Sequence, residues 1–291
     1  MDKLELTNLD KIFWPELNFT KGDLVEYYQA VAPTILKYLK DRPESLLRQP
    51  NGIHGEGFFQ KNFTHPLPDF TKNFVVHSES TNENVNYLVC NNEQTLIYMV
   101  QLGCIEINPW NSRIQSDDKP DWAVMDLDPD GNDFKEVVKV AKAVQKVCTD
   151  WKVKAFPKTS GKSGIHIYVP LGAKYTYAQG RQLIHLIGIE VNKQLPKLTS
   201  LVRSPSDRKG KIYLDYLQNS RGQTLAAPYS ARPTKDASVS APLDWSEVTP
   251  RLRPSQFTIK NMPTRIKKVG DLWQGVLKDR NDIAKILKSL E

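Results

Sequence analysis

The chain has 291 residues, 40% of them hydrophobic and 25% charged, which allows one large domain or two ordinary ones with a real core. No apolar stretch approaches the roughly 20 residues of a membrane helix, and three widely spaced cysteines exclude both a disulfide framework and a CxxC zinc pair. The formal net charge of +7 fits a polyanionic partner such as nucleic acid, or equally a basic enzyme without one.

The first third of the chain contains one clear helix start. Thr20 precedes apolar residues at helical spacing, and Asp23 follows three residues later, which predicts a capping box. Residues 46–48 and 57–61 are typical of short strands, whereas the apolar segment over 95–107 fits either a helix or a strand.

From residue 122 onward, strands and helices intermix. The predicted elements are strands over 122–125, 153–156, 165–169 and 212–217, helices over 134–147 and 177–194, and a loop over 160–164. This order lacks the βαβ fingerprint of dinucleotide-binding proteins. It predicts an α+β fold around a mixed or mostly antiparallel sheet.

Two carboxylates stand at the end of the strand over 122–125. Asp126 and Asp128 are two residues apart, so both side chains point to one face of an extended chain. A divalent cation would relieve their repulsion, although Asp128 could instead belong to a turn with Gly131. Asp215 lies on a separate strand and would complete the three carboxylates of a two-metal site for nucleotidyl transfer. Taken alone, such a residue is more often a solvated strand residue.

The loop over 160–164 carries donors that suit a phosphate. Ser160 and Lys162 add a hydroxyl and an ammonium to backbone N–H groups exposed by glycines, although the glycine spacing is not that of a Walker A motif. His166 emerges beside the loop and could donate to a phosphate oxygen. Arg221 and Arg232 would neutralise a triphosphate, unless they are ordinary solvated residues.

Taken in order, these motifs resemble a known family. The Asp-Leu-Asp-Pro run at 126–129, the Ser-Gly-x-x-Gly-x-His loop at 160–166 and the segment over 215–232 resemble the polymerase domain of bacterial and archaeal DNA ligase D, which acts in non-homologous end joining. The other matching blocks are residues 6–15, 20–23 and 48–61. The resemblance covers nearly the whole chain. It implies the fold of the archaeo-eukaryotic primase superfamily, with catalytic Asp residues on a central sheet flanked by helices.

The resemblance also implies roles for individual residues. Asp126, Asp128 and Asp215 would be catalytic and hold two Mn²⁺ or Mg²⁺ ions. The incoming nucleotide would contact Ser160, Lys162, His166, Arg232, Arg48, Lys61 and Arg221. A pocket for the 5′-phosphate of a DNA break would comprise Asn8, Lys11 and Lys21, beside a helix start whose free N–H groups favour an anion. Stacking on a template base would fall to Phe58 or Phe59.

The sequence departs from the family at two positions. Asn108 replaces the family's His before the metal-binding strand, which keeps hydrogen bonding but removes a titratable ring. We therefore expect Asn108→His to raise turnover, unless another group already compensates. Ser163 stands where the family's loop lysine is found, so Lys162 could point elsewhere.

The motifs and the resemblance together predict a DNA-repair polymerase, a nucleotidyltransferase that adds NTPs or dNTPs to 3′-OH ends at DNA breaks and gaps. The resemblance implies a preference for ribonucleotides. Residues 1–291 would form a single polymerase domain, whose N-terminal subregion over about 1–70 carries the 5′-phosphate pocket. The polar segments 76–84 and 204–211 would bridge DNA ends. No segment resembles a ligase or phosphoesterase domain, so a separate ligase and Ku are expected partners. The expected location is the cytoplasm, at the nucleoid and without a membrane.

Three other functions fit part of the pattern. A primase that starts chains without a primer is a close alternative within the same class. Asn108 would also suit a DNA-end bridging module with little catalysis. A glycosyltransferase with a DxD metal site leaves Asp215 and the 5′-phosphate residues unexplained. Primer extension, tested with and without the carboxylate of Asp126, discriminates between them.

Overall fold

The computed structural model describes residues 4–78 and 82–288. Its strands are β1 (Ile12–Trp14), β2 (Phe19–Thr20), β3 (Glu44–Arg48), β4 (Phe58–Gln60), β5 (Lys72–Ser78), β6 (Glu83–Val89), β7 (Cys104–Pro109), β8 (Trp122–Asp128), β9 (Phe156–Thr159), β10 (Ile165–Pro170), β11 (Thr199–Ser200) and β12 (Ile212–Asp215). Its α-helices are α1 (Lys21–Leu39), α2 (Glu93–Gln101), α3 (Phe134–Asp150), α4 (Tyr177–Gln194), α5 (Pro205–Arg208), α6 (Met262–Val269), α7 (Gln274–Lys278) and α8 (Ala284–Lys288). Short 3-10 helices span Pro15–Leu17, Trp245–Glu247 and Pro254–Gln256. These elements belong to two compact units.

The first unit comprises residues 1–115, 224–240 and 257–270. It contains a three-stranded antiparallel sheet in the order β4-β3-β7, the hairpin β5–β6 and the small pair β1–β2. The long helix α1 begins with the predicted capping box, which is confirmed. Thr20 Oγ1 accepts a hydrogen bond from the N–H of Asp23 at 3.1 Å, and Asp23 Oδ2 accepts one from the N–H of Thr20 at 2.6 Å.

Aromatic side chains tie the segment 229–234 to the core of the first unit. The buried Tyr28 hydroxyl donates to the carbonyl of Ile105 at 2.7 Å and accepts from the N–H of Ala231 at 3.0 Å. The Trp14 indole donates to the carbonyl of Thr234 at 2.9 Å. Buried hydroxyl and indole groups are costly without a partner, so these bonds fix the path of the segment.

The second unit comprises residues 116–223, 241–256 and 271–291. Its five-stranded sheet has the order β11-β12-β8-β10-β9, antiparallel throughout except for the parallel pair β11–β12. Helix α4 packs on β8 and on α3. All residues of β10 are buried, which explains why this strand contains few polar residues.

Two side chains from outside the strands bond to the backbone of this sheet. The buried amide of Asn219 accepts from the N–H of Val124 and donates to the carbonyl of Val124, both at 2.7 Å, and so continues the ladder beside β8. The Trp273 indole donates to the carbonyl of Pro157 at 2.8 Å. No helix within residues 4–78 and 82–288 is long and apolar enough to cross a membrane. The cysteines at 90, 104 and 148 are free and buried.

Candidate active site

A row of four polar residues crosses the sheet of the second unit. Asp215 on β12 is the direct cross-strand partner of Asp126 on β8, and Asp126 is paired in turn with His166 on β10. His166 is paired with Lys158 on β9. Residues directly opposite each other in antiparallel strands point to the same face, so all four side chains share one face of the sheet. Asp128 is two residues after Asp126 and shares it as well.

Asp126 and Asp215 are adjacent carboxylates in this row. Asp126 Oδ1 lies 3.4 Å from Nε2 of His166. Asp215 accepts a hydrogen bond from the N–H of Leu217 at 2.8 Å and another from the side-chain amide of Gln218 at 3.2 Å. The turn that follows β12 therefore holds the Asp215 carboxylate in place.

Asp128 is half-exposed and forms an ion pair with Arg208, the last residue of α5, at 3.0 Å. The Arg208 guanidinium also lies over the ring of Tyr213, 4.1 Å from its centroid, and Tyr213 is the cross-strand partner of Asp128. Burial, and then the negative charge of Asp215, raises the pKa of the Tyr213 hydroxyl. The Arg208 guanidinium therefore neutralises the Asp128 carboxylate.

The residue types on this face fit a hard divalent cation. Mg²⁺ and Mn²⁺ prefer carboxylate oxygens, and opposite residues of an antiparallel pair have Cβ atoms about 4.5–5.5 Å apart, within reach of a shared ion. In the side-chain conformations of residues 4–78 and 82–288, no three His, Cys, Asp or Glu groups converge closely enough to hold a metal ion. Asp128 contacts Arg208 and Asp126 contacts His166, while Asp215 is bonded to the turn after β12. Contacts to a bound ion would have to replace some of these contacts.

The loop between β9 and β10 is closed by Ser160. Its Oγ accepts hydrogen bonds from the N–H groups of Lys162 at 3.1 Å and Gly164 at 2.9 Å. A hydroxyl that accepts two such bonds still has a proton to donate. A Cβ on Gly164 would lie 2.4 Å from the carbonyl oxygen of Leu127, so only glycine lets the loop approach the strand that carries Asp126.

The other two cations predicted for nucleotide binding in the second unit have different surroundings. Arg221 forms an ion pair with Asp117 through its Nη2 atom. Lys162 is exposed at the tip of the loop. Neither Arg221 nor Lys162 is a cross-strand partner of Asp126 or Asp215. The strand pairing that brings these two carboxylates together therefore does not include the two cations.

Arg232 and Asn108 both lie in the first unit. Arg232 is nearly buried, and its Nε atom lies 3.0 Å from Oε2 of Glu106 on β7. Asn108 is buried on the same strand, where its amide donates to the backbone carbonyls of Ser45 at 3.2 Å and Glu106 at 3.3 Å. A neutral histidine ring has one N–H group and would replace only one of these donations.

Asn8, Lys11 and Lys21 are brought together by the backbone before α1. The N–H of Lys11 donates to the carbonyl of Asn8 at 3.2 Å, and the N–H of Lys21 donates to the carbonyl of Lys11 at 2.8 Å. The Lys21 ammonium donates to the carbonyl of Thr7 at 2.9 Å and to Oε1 of Gln101 at 2.8 Å. Burial, and then the charge of Lys11, lowers the pKa of Lys21. The positive charges of Lys11 and Lys21, two residues of the predicted 5′-phosphate pocket, therefore repel each other.

The expectation of free N–H groups at the start of α1 is wrong. The first three N–H groups of this helix donate within the chain. Their acceptors are the carbonyl of Lys11 for Lys21, the carbonyl of Leu9 for Gly22 and Oγ1 of Thr20 for Asp23. A phosphate at this place would therefore be bound by side chains and not by the end of the helix.

Strand β4 carries the predicted stacking residues, and β3 is paired with it. Phe58 and Phe59 are 46% and 58% exposed, which is unusual for large apolar rings. Arg48 lies opposite Phe58, with its guanidinium 5.2 Å from the ring centroid, and donates to the carbonyl of Leu102 at 2.7 Å. Burial lowers the pKa of Arg48. Lys61 is exposed just beyond β4.

The two predicted end-bridging segments differ in structure. The segment 76–84 belongs to the β5–β6 hairpin, and its residues 79–81 lie outside the described residues. The segment 204–211 contains α5 and the left-handed residue Lys209, with φ of 54°. It also supplies Arg208, the partner of Asp128.

The sequence matches the model of the LigD primase-polymerase domain over residues 20–273. The chain belongs to the LigD primase-polymerase family. It is 36% identical over 270 residues to the bifunctional non-homologous end joining protein LigD of Bacillus subtilis, covering 92% of this chain and 43% of that protein. It is 30% identical over 276 residues to the multifunctional LigD of Mycolicibacterium smegmatis, covering 93% and 36%. The chain thus spans less than half the length of these relatives.

A solved LigD structure has the same fold. The polymerase domain of Mycobacterium tuberculosis Ligase D in complex with DNA aligns with a TM-score of 0.88 and 28% identity, covering 97% of this chain and 100% of that one. The predicted family and the α+β, primase-like fold are confirmed.

Two contacts of this LigD primase-polymerase chain lie outside the residues chosen from the sequence. Lys158 contacts His166, and Asn219 continues the ladder of β8. Lys158 is the one charged residue of the short strand β9, and a charge at that position is the sequence signal that points to it. No local sequence pattern shows that Asn219 bonds to the backbone of Val124. This contact becomes visible only once the strands are placed.

Proposed function

We propose that this protein is a metal-dependent nucleotidyltransferase of DNA-break repair that adds nucleotides to 3′-hydroxyl ends at breaks and gaps. The observation that carries the proposal is the cross-strand pairing of Asp215 with Asp126, with Asp128 on the same face. Membership of the LigD primase-polymerase family supports it independently.

Asp126, Asp128 and Asp215 are the proposed ligands of two Mn²⁺ or Mg²⁺ ions. Ions bound there would lower the pKa of the attacking hydroxyl and stabilise charge on the leaving pyrophosphate. The chain contributes the oxygen ligands and their rigid support. Asp126 and Asp128 are fixed by strand β8, and Asp215 is fixed by its bonds to the turn after β12.

A nucleoside triphosphate is the proposed small substrate, with ribonucleotides preferred. In the second unit, the Ser160 hydroxyl, the His166 ring and the cations Lys162 and Arg221 would donate to its phosphate oxygens or neutralise them. The family resemblance assigns Arg48, Lys61 and Arg232 to nucleotide binding as well. The carboxylate of Glu106 beside Arg232 restrains that guanidinium, so less side-chain entropy is lost on binding.

DNA ends and gapped DNA with a 5′-phosphate are the proposed macromolecular substrate. The similar Mycobacterium tuberculosis domain was solved in complex with DNA. Lys11, Lys21 and Asn8 would bind the 5′-phosphate, and the exposed rings of Phe58 and Phe59 would stack on a template base. Bridging of ends by the segments 76–84 and 204–211, and cooperation with Ku and a separate ligase, complete the proposal.

The deciding experiment is primer extension on a gapped duplex with a 5′-phosphate, ribonucleotides and Mn²⁺. We expect extension by the unmodified protein and none by Asp126→Ala. Asp150→Ala is the matched control, because that carboxylate is exposed at the end of α3. A lack of metal-dependent extension by the unmodified protein would contradict the proposal. Retained DNA-end binding would then favour the bridging module, and synthesis without a primer would favour the primase.

Recognition of the 5′-phosphate is tested separately by binding. Affinity is measured for gapped DNA with a 5′-phosphate and for the same DNA with a 5′-hydroxyl. Lys11→Ala should reduce the preference for the phosphate, whereas Lys40→Ala, which removes an exposed lysine after α1, should keep it. An equal affinity of the unmodified protein for both DNAs would contradict the proposed pocket.

A further inference from the structure

A buried lysine contacts the histidine of the carboxylate row. Lys158 is 0% exposed and His166 is 3% exposed. The Nζ atom of Lys158 lies 2.8 Å from Nδ1 of His166, and the two residues are direct cross-strand partners on β9 and β10. Lysine is among the residues least often fully buried, because removing an ammonium from water is costly. Its position beside a predicted nucleotide-binding residue therefore calls for a role.

The protonation state of Lys158 sets the direction of the hydrogen bond. As an ammonium, Lys158 has three donors and no acceptor, and Nδ1 of His166 is then the acceptor. The Lys158 nitrogen lies over the aromatic face of Tyr168, 5.7 Å from the ring centroid, in the position of a cation–π contact. A neutral imidazole that accepts at Nδ1 carries its proton on Nε2.

The backbone around Lys158 is held on both sides. On one side β9 pairs with β10. On the other side, the N–H of Thr159 donates to the carbonyl of Ala241 at 2.9 Å, the N–H of Ala241 donates to Oγ1 of Thr159 at 3.0 Å, and the N–H of Leu243 donates to the carbonyl of Pro157 at 3.1 Å. The backbone of Lys158 is therefore held by hydrogen bonds on both sides of β9.

The other side of the ring faces the carboxylates. Nε2 of His166 lies 3.4 Å from Oδ1 of Asp126, which is the next residue in the row. A proton on Nε2 makes this edge a donor toward anionic oxygens. A lone pair there would repel the same oxygens.

We propose that Lys158 is a positioning residue that fixes the tautomer and orientation of the His166 ring, so that an Nε2–H donor faces the carboxylate row and the phosphate oxygens of a bound nucleotide. Only the last part, donation to a nucleotide, rests on the proposed function. The fixed tautomer is a property of the protein alone and is measured without substrate.

The direct test is nitrogen NMR of protein with ¹⁵N-labelled histidine. The chain has five histidines, and the signals of His166 are identified by their loss in His166→Gln. In the wild type we expect Nε2 to carry the proton and Nδ1 to be a hydrogen-bonded acceptor. In Lys158→Met we expect the acceptor signature of Nδ1 to disappear and the Nδ1–H tautomer to gain population. Lys154→Met is the matched control, because that lysine is exposed and bonded to Asp279.

A kinetic readout accompanies the spectrum. Loss of an N–H donor to a charged phosphate should raise KM for the triphosphate by about tenfold in Lys158→Met, with a smaller change in kcat. Lys158→Arg keeps a cationic donor and should restore both the wild-type tautomer and part of the lost affinity. Lys154→Met should leave KM unchanged.

The outcomes separate this inference from the proposed function. A protein without polymerase activity whose His166 nevertheless changes tautomer in Lys158→Met would support the role of Lys158 while contradicting the function. A wild-type His166 with its proton on Nδ1, or a tautomer identical in wild type and Lys158→Met, would overturn the inference. If Lys158→Met does not fold, the wild-type spectrum still decides, because a proton on Nδ1 of His166 overturns the inference.

Discussion

Asp215 and Asp126 are direct cross-strand partners in the β12–β8 pair, on the face that also carries His166. Two carboxylates side by side on a sheet repel each other, and a bound divalent cation relieves that repulsion. The proposed chemistry depends on this pair more than on any single motif. Substitutions here can separate metal binding from folding.

Asp215→Asn should abolish metal-dependent activity while keeping the fold. The carboxamide oxygen still accepts the hydrogen bond from the N–H of Leu217, but one negative charge is lost from the proposed ligand set. A metal ligand supplies several kcal/mol of transition-state stabilisation, so we expect a loss of at least about 100-fold in kcat. Mn²⁺ binding followed by electron paramagnetic resonance should weaken in parallel. Equal Mn²⁺ affinity for Asp215→Asn and the Asp150→Asn control would exclude Asp215 as a ligand.

Arg208→Gln should strengthen the binding of Mn²⁺ in the absence of nucleotide. The Arg208 guanidinium neutralises Asp128, so a cation must compete with it for the carboxylate. Because Asp128 is half-exposed, the pair contributes only about 0.2–1 kcal/mol, and the gain in Mn²⁺ affinity should not exceed about fivefold. Lys209→Gln removes the same charge from the neighbouring residue and is the matched control. If both variants bind Mn²⁺ more tightly to the same degree, the effect is one of general charge and not of the ion pair.

Local features of this chain were predictable from sequence because their physical causes are local. The capping box of Thr20 and Asp23 involves residues three apart, and the helix over 177–194 has the predicted bounds. The alternation of strand residues likewise placed Asp126 and Asp128 on one face. By contrast, the strand expected over 153–156 begins at Phe156, because Thr159 and Pro157 pair with the distant segment 241–243.

Pairings between distant strands were not predictable in the same way. Periodicity tells which face a residue occupies, but the register that sets Asp215 opposite Asp126 depends on how two separate strands meet. The contact of Lys158 with His166 has the same origin. The error about the N–H groups of α1 is of this kind too, since two of their acceptors, the carbonyls of Leu9 and Lys11, precede the helix in a segment whose path the sequence pattern does not specify.

Gly164→Ala should distort the sheet where β10 meets β8. Its added Cβ would lie 2.4 Å from the carbonyl oxygen of Leu127, a backbone atom between Asp126 and Asp128 that cannot rotate away. Forcing an extra methyl group into a packed site costs about 1–3 kcal/mol, which urea unfolding would detect. Ser163→Ala, at an exposed position of the same loop, is the control and should be neutral. A stable Gly164→Ala with wild-type activity would show that the loop can move away from β8 without consequence.

Glu44 is a fully buried carboxyl group on β3. Neither of its oxygens has a hydrogen-bond partner among residues 4–78 and 82–288. Removal from water raises the pKa of Glu44 well above its ordinary value of 4.5, and the nearby Arg42 guanidinium opposes only part of that rise. The folded protein therefore keeps a proton on Glu44 at pH values where the unfolded chain has lost it. The stability linked to this proton is complete below the ordinary pKa and is lost as the pH rises toward the folded-state pKa.

Glu44→Gln should gain stability relative to the wild type as the pH increases. The amide has no proton to lose, whereas the free energy of unfolding of the wild type should fall through this group by up to about 1.4 kcal/mol per pH unit. Urea unfolding at pH 5, 6, 7 and 8 measures the difference between the two proteins. Glu56→Gln is the matched control, since the Glu56 side chain is exposed and its replacement should give no trend. A difference between Glu44→Gln and the wild type that stays constant across all four pH values would mean that Glu44 is ionised in the folded protein.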